Sequence, residues 1–301
     1  MRKLLIDTDP GIDDAIALLF ALNAAGLDVS AITTVAGNIG LETTTRNALR
    51  VLAVGGQEVP VIPGAAAPLH RPGIRELAVH GADGLGGVAL PEPLAVPQHG
   101  DAVGYLADLL MQHGPDTHDL LALGPLTNLA GLIREVPGAA RRLGQVIAMG
   151  GALEEAGNVG PHSEFNFAND PEAVEIVLTA GLDLTLIPLD VTRKLRADAA
   201  FMDRLTRAGT PQALAVRDLI GAYFVPSAAG AAPPTSRPLH DLCVPVLALV
   251  PDFFDVVPAQ FGVDCSQGPD AGALVPGIHK VKTAVGNRAG AVLDLVVEEM
   301  C

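Results

Sequence analysis

The feature that most constrains this chain is a cluster of carboxylates directly after a short apolar run near the amino terminus. Four acidic residues fall within eight consecutive positions: Asp7, Asp9, Asp13 and Asp14. Residues 4–6 predict a short buried strand, Pro10-Gly11 predicts a turn, and residues 14–26 predict a nearly all-apolar helix. The cluster therefore follows the carboxyl end of a strand, the edge of an open α/β sheet at which ligands bind.

The four carboxylates are expected to lie close together. A strand has a two-residue period, so Asp7 and Asp9 point the same way, and the turn brings Asp13 and Asp14 back beside them. Like charges in one pocket require a countercharge, and oxygen ligands suit Ca²⁺ or Mg²⁺ rather than zinc. A plainer interpretation is that one Asp caps the helix and the others are solvated turn residues. The four positions taken together favour a divalent-cation site.

Strands and helices are predicted to alternate along the rest of the chain. Apolar or β-branched runs predict further strands at 28–36, 59–62, 118–123, 144–149 and 184–189. Helical segments are predicted at 42–54, 101–113, 197–208 and 212–224. This alternation indicates a parallel sheet with crossover helices. We therefore predict an α/β fold, with a mostly parallel, Rossmann-like open sheet flanked by helices, in a single domain over residues 1–301.

Two segments break the alternation. Residues 63–100 are rich in Pro and Gly, show no helical or strand period, and contain His80. A loop of this length in a compact domain is usually functional or disordered. Residues 226–238 form a second loop, rich in Ala and Pro, that leads to His240-Asp241.

Charge and hydropathy exclude several classes of partner. The formal net charge of −15 argues against nucleic acid and anionic membranes, which are held by clustered Lys and Arg. No apolar stretch reaches the ~18 residues that cross a bilayer, although 49% of the residues are hydrophobic. The basic start runs into Asp7 before a signal-peptide core can form, so we expect a cytoplasmic protein.

Four separated motifs resemble those of one enzyme family. They are Asp-Thr-Asp-Pro-Gly-Ile-Asp-Asp-Ala at 7–15, Leu-Gly-Pro-Leu-Thr-Asn-Leu-Ala at 123–130, Ser-Glu-Phe-Asn-Phe-Ala-Asn-Asp-Pro-Glu-Ala at 163–173, and Leu-His-Asp at 239–241. In this order they resemble the fingerprints of the nucleoside hydrolases, the inosine-uridine-preferring ribohydrolase family. The Val-His-Gly sequence around His80 is similar to a further family segment near the active site.

This resemblance implies calcium-dependent hydrolysis of the N-glycosidic bond of a ribonucleoside, giving free base and ribose. It assigns four groups to the metal: Asp9, Asp14, Asp241 and the backbone carbonyl of Leu123. It assigns six residues to the substrate: Asp13, Asn38, His80, Asn158, Glu164 and Asn166. Asp9 is expected to be the general base towards a water whose pKa the ion lowers, and His240 to stabilise the departing base. The implied partner is a small-molecule ribonucleoside, and the enzyme could form a homo-oligomer.

Two other functions stay open at this level. Asp7-Thr8-Asp9 also satisfies the Asp-x-Asp opening of haloacid-dehalogenase-like phosphatases, although Gly11 stands where that motif has Thr or Val. A non-catalytic nucleoside-binding protein would need the sugar contacts without a base beside a metal. The preferred nucleobase is also open, because residues 226–238 contain no aromatic residue to stack on a base, and only Tyr223 and Phe224 just before them could do so.

Overall fold

The architecture follows from short apolar strands that alternate with helices. The structure, a computed structural model, describes residues 3–224 and 234–301. Its strands in chain order are β1 Lys3–Thr8, β2 Asp28–Thr34, β3 Val61–Pro63, β4 His118–Ala122, β5 Gln145–Met149, β6 Asp183–Ile187, β7 Arg196–Asp198, β8 Ser236–Pro238, β9 Phe254–Val263, β10 Leu274–Pro276 and β11 His279–Asn287.

The helices connect these strands or follow them. In chain order they are α1 Ile12–Asn23, α2 Leu41–Gly55, α3 Leu77–His80, α4 Ala102–Gln112, α5 Thr127–Glu135, α6 Pro137–Ala140, α7 Phe165–Asn169, α8 Pro171–Thr179, α9 Leu189–Thr192, α10 Ala199–Ala208, α11 Pro211–Tyr223, α12 Cys243–Leu249 and α13 Ala289–Glu299. A 3₁₀ turn at Pro251–Phe253 leads into β9.

The order of the strands places a crevice beside β1. Within the described residues the main sheet has nine strands in the order β10-β9-β11-β6-β5-β4-β1-β2-β3. From β11 to β3 the neighbouring pairs are parallel, and only β9 and β10 are antiparallel to their neighbours. The chain runs outward from β1 through β2 and β3, then returns to β4 on the other side of β1. The carboxyl ends of β1 and β4 therefore flank the switch point at which open α/β sheets bind ligands.

Two hydrophobic cores, one on each face of the sheet, hold the helices in place. One core packs α1, α2 and α10 to α13 against the sheet, and the other packs α4 to α8. Helix α1 is buried over ten consecutive residues, from Ile12 to Ala21, because other helices surround it. The turn before α1 is therefore fixed on a rigid support.

The predicted α/β class and the mostly parallel sheet are confirmed, but two segments differ from the prediction. Arg196–Asp198 forms a strand, paired with Ser236–Pro238, where a helix was expected to begin. The helix begins only at Ala199 because the Asp198 carboxylate accepts the Phe201 N–H and acts as its N-cap. The expected loop at 63–100 contains the four-residue helix α3, which is too short to show a period. Of the second expected loop, residues 226–233 lie outside the described part of the chain, and its last residues form β8.

Candidate active site

The turn after β1 is held together by one carboxylate. Asp14, in the first turn of α1, accepts hydrogen bonds from the Thr8 hydroxyl at 2.6 Å, the Gly11 N–H at 3.1 Å and the Asp9 N–H at 3.2 Å. Two of these donors are backbone groups near the start of the helix, which a side-chain oxygen commonly caps. The simple capping interpretation is thus correct for Asp14, and its bonds fix the path of the turn.

The Asp9 carboxylate lies in a narrow space between the ends of β2 and β4. Its Oδ2 accepts the Asn38 N–H at 2.6 Å. A Cβ added at Gly37 would lie 2.1 Å from Asp9 Oδ2, and one added at Gly124 would lie 2.3 Å from Asp9 Oδ1. Both positions therefore require glycine, because any side chain would displace the carboxylate.

Three carboxylates converge beside Asp9. Oxygens of Asp13, Asp14 and Asp241 lie within 4.8 Å of one another, and all three residues are buried. Asp9 is outside this closest group, although its charge raises the pKa of Asp241. Asp7 is turned to other partners, since its Oδ1 accepts the Thr33 hydroxyl at 2.6 Å and the Asn128 amide at 2.7 Å. The structure therefore brings two of the four amino-terminal carboxylates together with Asp241.

The electrostatics of this group favour a bound cation. Burial raises the pKa of Asp9, Asp14 and Asp241, and the neighbouring carboxylates raise it further. Such a cluster is stable in the ionised form only with a countercharge, and its donors are all oxygen atoms, as Ca²⁺ and Mg²⁺ prefer. The residues present therefore fit a divalent cation of this type.

A cavity of about 500 Å³ opens above the carboxylates. Nine of the eleven residues predicted for the site line it: Asp13, Asn38, His80, Leu123, Asn158, Glu164, Asn166, His240 and Asp241. The other two, Asp9 and Asp14, are not among the lining residues and are only 1% and 0% exposed. The predicted set thus lies in one place, with these two carboxylates more deeply buried than the rest.

One wall of the cavity is a polar loop that follows β5. Glu164 caps α7 by accepting the N–H groups of Asn166 and Phe167, and it also accepts the Gly151 N–H. Burial outweighs these donors and raises the pKa of Glu164 to about 7. Asn158 accepts the Phe165 N–H through Oδ1 at 2.8 Å, which leaves its amide N–H groups for a ligand.

Asn38 and Asn166 use their amide N–H groups within the protein, whereas Asn158 uses its Oδ1. The Asn166 amide donates to the carbonyls of Leu123 at 2.7 Å and Met149 at 3.2 Å. The Asn38 amide donates to Asp14 Oδ2 at 3.0 Å and to the Asp9 carbonyl at 3.3 Å. Both residues are left with Oδ1 as an acceptor for substrate hydroxyls. The Leu123 carbonyl retains one of its two lone pairs, because Asn166 occupies the other.

Two histidines and a tyrosine also line the cavity. His80 Nδ1 accepts the Ile12 N–H at 3.0 Å, so a neutral His80 carries its proton on Nε2. Its ring meets Tyr223 edge-on with centroids 6.0 Å apart. Burial raises the pKa of Tyr223 well above its usual value, and the nearby charge of Asp13 raises it further. Tyr223, which the sequence indicated as a residue that could stack on a base, thus also lies near the carboxylate cluster.

His240 is held by a residue that the sequence did not single out. Its Nδ1 lies 2.7 Å from the hydroxyl of Thr192 in α9. Burial lowers the pKa of His240, and nearby Arg193 and Arg196 lower it further against the effect of Asp13. These surroundings favour the neutral form of the imidazole. The position of Thr192 after strand β6, at the same edge of the sheet, was the only signal that could have identified it.

In the described part of the chain, no helix is both long enough and apolar enough to cross a membrane.

Comparisons with known proteins identify the family. Residues 4–297 match the family model described as inosine-uridine preferring nucleoside hydrolase. The chain is 40% identical over 262 residues to the pyrimidine-specific ribonucleoside hydrolase RihA of Citrobacter koseri, covering 87% of this chain and 83% of that protein.

Solved structures of nucleoside hydrolases superpose on nearly the whole length of this chain. The plant nucleoside hydrolase PpNRh1 superposes with a TM-score of 0.90 at 32% identity, covering 99% of this chain and 98% of that one. The purine-preferring ribonucleoside hydrolase from Gardnerella vaginalis superposes with a TM-score of 0.91 at 26% identity and the same coverage. The chain belongs to the inosine-uridine preferring nucleoside hydrolase family and is a hydrolase that acts on the N-glycosyl bonds of ribonucleosides.

Proposed function

We propose that this protein is a calcium-dependent ribonucleoside hydrolase that prefers pyrimidine ribonucleosides and acts on them as free small molecules. One observation carries the proposal. Buried carboxylates converge at a cavity that is also lined by groups able to bind hydroxyls and by two histidines. A ribose with an attached base presents the matching pattern, with hydroxyls at one end and a nitrogen leaving group at the other.

Asp14, Asp241, Asp9 and the Leu123 carbonyl are the groups that would hold the ion, and Asp13 lies close enough to take part. A divalent cation at this position supplies the missing countercharge and lowers the pKa of a bound water. Calcium is favoured over magnesium because the oxygens come from side chains and a carbonyl on several elements, which suits the larger ion's flexible coordination.

The chain's own residues then divide the reaction between them. Asp9 accepts the proton of the attacking water, a role suited to a carboxyl whose pKa burial has raised. Asp13, Asn38, Asn158, Glu164 and Asn166 bind the ribose. Their carboxylates also stabilise positive charge on the sugar as the bond breaks, as in other glycoside hydrolysis. His80 and His240 face the base and stabilise its departure.

The pyrimidine preference is supported by the similarity to RihA proteins, described as pyrimidine-specific, at a higher identity than to the purine-preferring structure. The base side of the cavity is also polar, with His80, His240 and the Tyr223 hydroxyl close together. Such groups can form hydrogen bonds with the carbonyl oxygens of uracil and cytosine.

The test compares two products. Purified enzyme is given uridine, cytidine, inosine and uridine 5′-monophosphate, and ribose and phosphate release are measured separately. We expect ribose from uridine and cytidine, less from inosine, and no phosphate. EDTA should abolish ribose release and calcium should restore it. Phosphate release without ribose would support the phosphatase alternative, and saturable uridine binding without either product would support a nucleoside-binding protein.

A further inference from the structure

The short helix α9, together with Arg193, touches both halves of the candidate site. It follows β6 at the sheet edge that carries the other site loops, and the Leu189 N–H donates to the Gly151 carbonyl at 2.9 Å. The Asn287 amide donates to the Val191 carbonyl at 2.9 Å, which ties the helix to β11. The helix is therefore anchored to the sheet on two sides.

One set of contacts, which we call the leaving-group arm, joins α9 to His240. Thr192 is fully buried, and its hydroxyl lies 2.7 Å from His240 Nδ1. A hydrogen bond to Nδ1 fixes the rotation of the imidazole and leaves Nε2 as the nitrogen that can face a ligand. Downstream of α9, the Leu239 N–H donates to the Leu195 carbonyl, so the backbone before His240 is held by the same part of the chain.

A second set of contacts, which we call the ribose arm, joins α9 to the loop that carries Asn158. The Asp190 carboxylate accepts three successive backbone N–H groups, from Leu153 and Glu154 at 2.8 Å each and from Glu155 at 3.1 Å. Three donors on one carboxylate leave the loop little freedom at this end.

Arg193 forms further hydrogen bonds with the same loop. Its guanidinium donates to the carbonyls of Ala156 and Gly157 and to the Glu155 carboxylate. The next residue of the loop is Asn158, whose Oδ1 accepts the Phe165 N–H. Asp190 and Arg193 thus define the backbone from Leu153 to the residue before Asn158.

We propose that α9 with Arg193 is a positioning element that sets His240 through Thr192 and Asn158 through Asp190 and Arg193. The side chains of Asp190, Thr192 and Arg193 do not line the cavity, so they act through His240 and Asn158, which do. The inference rests on the proposed roles of His240 and Asn158, and the experiment therefore includes both of those residues as single variants.

The leaving-group arm is tested with Thr192→Val and Thr192→Ser. The substrates are uridine, whose base needs help to depart, and p-nitrophenyl riboside, whose leaving group does not. We expect Thr192→Val to lower kcat/KM for uridine about tenfold, the worth of one hydrogen bond, and to leave p-nitrophenyl riboside nearly unchanged. Thr192→Ser, which keeps the hydroxyl, should restore most of the loss. Thr192→Val should add nothing to His240→Ala, because both remove the same effect.

The matched control is Thr44→Val. Thr44 is equally buried, and its hydroxyl donates to the Leu41 carbonyl at 2.9 Å within α2. The Thr44→Val variant loses a buried hydroxyl that has no contact with His240. Its kcat/KM should therefore stay close to the wild-type value for both substrates.

The ribose arm is tested with Asp190→Asn, whose single carbonyl oxygen cannot accept all three N–H groups. We expect KM to rise about three- to tenfold for both substrates alike, because they share the ribose, with a smaller change in kcat. The rise should not add to that of Asn158→Ala. Asp101→Asn, in an exposed N-cap of α4 that accepts the Gly104 N–H, is the control and should leave KM unchanged.

The outcomes separate the two levels of the proposal. If His240→Ala slows both substrates equally, the proposed role of His240 fails and the Thr192 arm fails with it. If His240→Ala is selective for uridine while Thr192→Val is not, or the two losses add, the proposed function stands and the positioning role of α9 is wrong. An unchanged KM in Asp190→Asn, beside a raised KM in Asn158→Ala, would overturn the ribose arm alone.

Discussion

At the scale of single residues, Asp9 shows how closely chemistry and packing are joined. Its carboxylate accepts a short hydrogen bond from the Asn38 N–H and lies against two glycines, Gly37 and Gly124, whose missing side chains leave it room. The same confinement removes water, which raises its pKa. Burial in this narrow space therefore holds the Asp9 carboxylate in place and also raises its pKa, and both effects suit the proposed role of a general base.

We predict that Asp9→Asn keeps the fold and loses most of the activity. The amide fills the same space but cannot accept a proton, and a general base typically contributes about 10²–10⁴-fold. Weaker cation binding should add to the loss. The measurement is kcat with uridine at saturating calcium, beside circular dichroism of both proteins. Turnover close to that of the wild type would assign the base to another residue.

We predict that His240→Ala is selective for the leaving group. Uridine hydrolysis should slow by about 10²-fold or more, within the range for general acid catalysis, whereas p-nitrophenyl riboside should be nearly unaffected. Both are measured as kcat/KM on the same preparation. Equal losses would indicate damage to the neighbouring Asp241 and would exclude a leaving-group role.

The residues that carry a motif were predicted to share one site and do lie together, whereas those proposed to act through a neighbour were not identified from the sequence. Asp9, Asp14 and Asp241 were predicted for the metal, and two of them do converge, but Asp13 completes the closest group in place of Asp9. A two-residue period cannot resolve which oxygens meet after a turn. Asp190, Thr192 and Arg193 carry no motif, because their partners are backbone groups and a histidine far away in the sequence.

At the scale of elements, helix N-termini organise the site. Glu164 caps α7, Asp170 caps α8, and Asp14 bonds the start of α1. Asp followed by Pro, as at Asp170-Pro171, is a typical helix start, whereas no such signal marks a cap at Glu164. Short elements such as α3, α9 and β7 escaped prediction because four or fewer residues show no period and their contacts come from distant parts of the chain.

Asp170 provides a prediction at this scale. Its carboxylate accepts the Ala173 N–H as a cap, and also the Leu69 N–H at 3.0 Å and the Thr127 hydroxyl at 2.7 Å. Asp170→Ala should therefore lower the free energy of unfolding by about 3 kcal/mol, more than the ~1 kcal/mol of an ordinary cap. Urea unfolding measures the loss, with Asp101→Ala as the control with a single exposed acceptor role. Equal losses in the two variants would show that the extra bonds of Asp170 contribute nothing.

At the scale of the whole molecule, the carboxylates under the sheet edge set the pH dependence of stability. Burial raises the pKa of Asp7 to about 6, against hydrogen bonds from Thr33 and Asn128. A folded-state pKa above the unfolded one favours the protonated form. The stability contributed by that proton is complete below about pH 4 and is lost as the pH rises through about 6.

We predict that Asp7→Asn becomes more stable relative to wild type as the pH rises. The difference in unfolding free energy between the two proteins should change by on the order of 3 kcal/mol from pH 4 to pH 7, at about 1.4 kcal/mol per pKa unit. Urea titrations in EDTA at several pH values give this difference, and the chelator keeps cation binding out of it. A difference independent of pH would mean that Asp7 does not titrate in this range.

The distance along the chain between the two parts of the carboxylate group has a consequence for biosynthesis. Asp13 and Asp14 leave the ribosome more than two hundred residues before Asp241. At about 5–20 residues per second, that gap takes roughly 10–45 s of translation. β1 also lies between β2 and β4, so its own neighbours arrive at different times. Until Asp241 is synthesised, Asp13 and Asp14 therefore lack the third carboxylate of the group, and a cation bound by all three cannot contribute to the earliest folding of the chain.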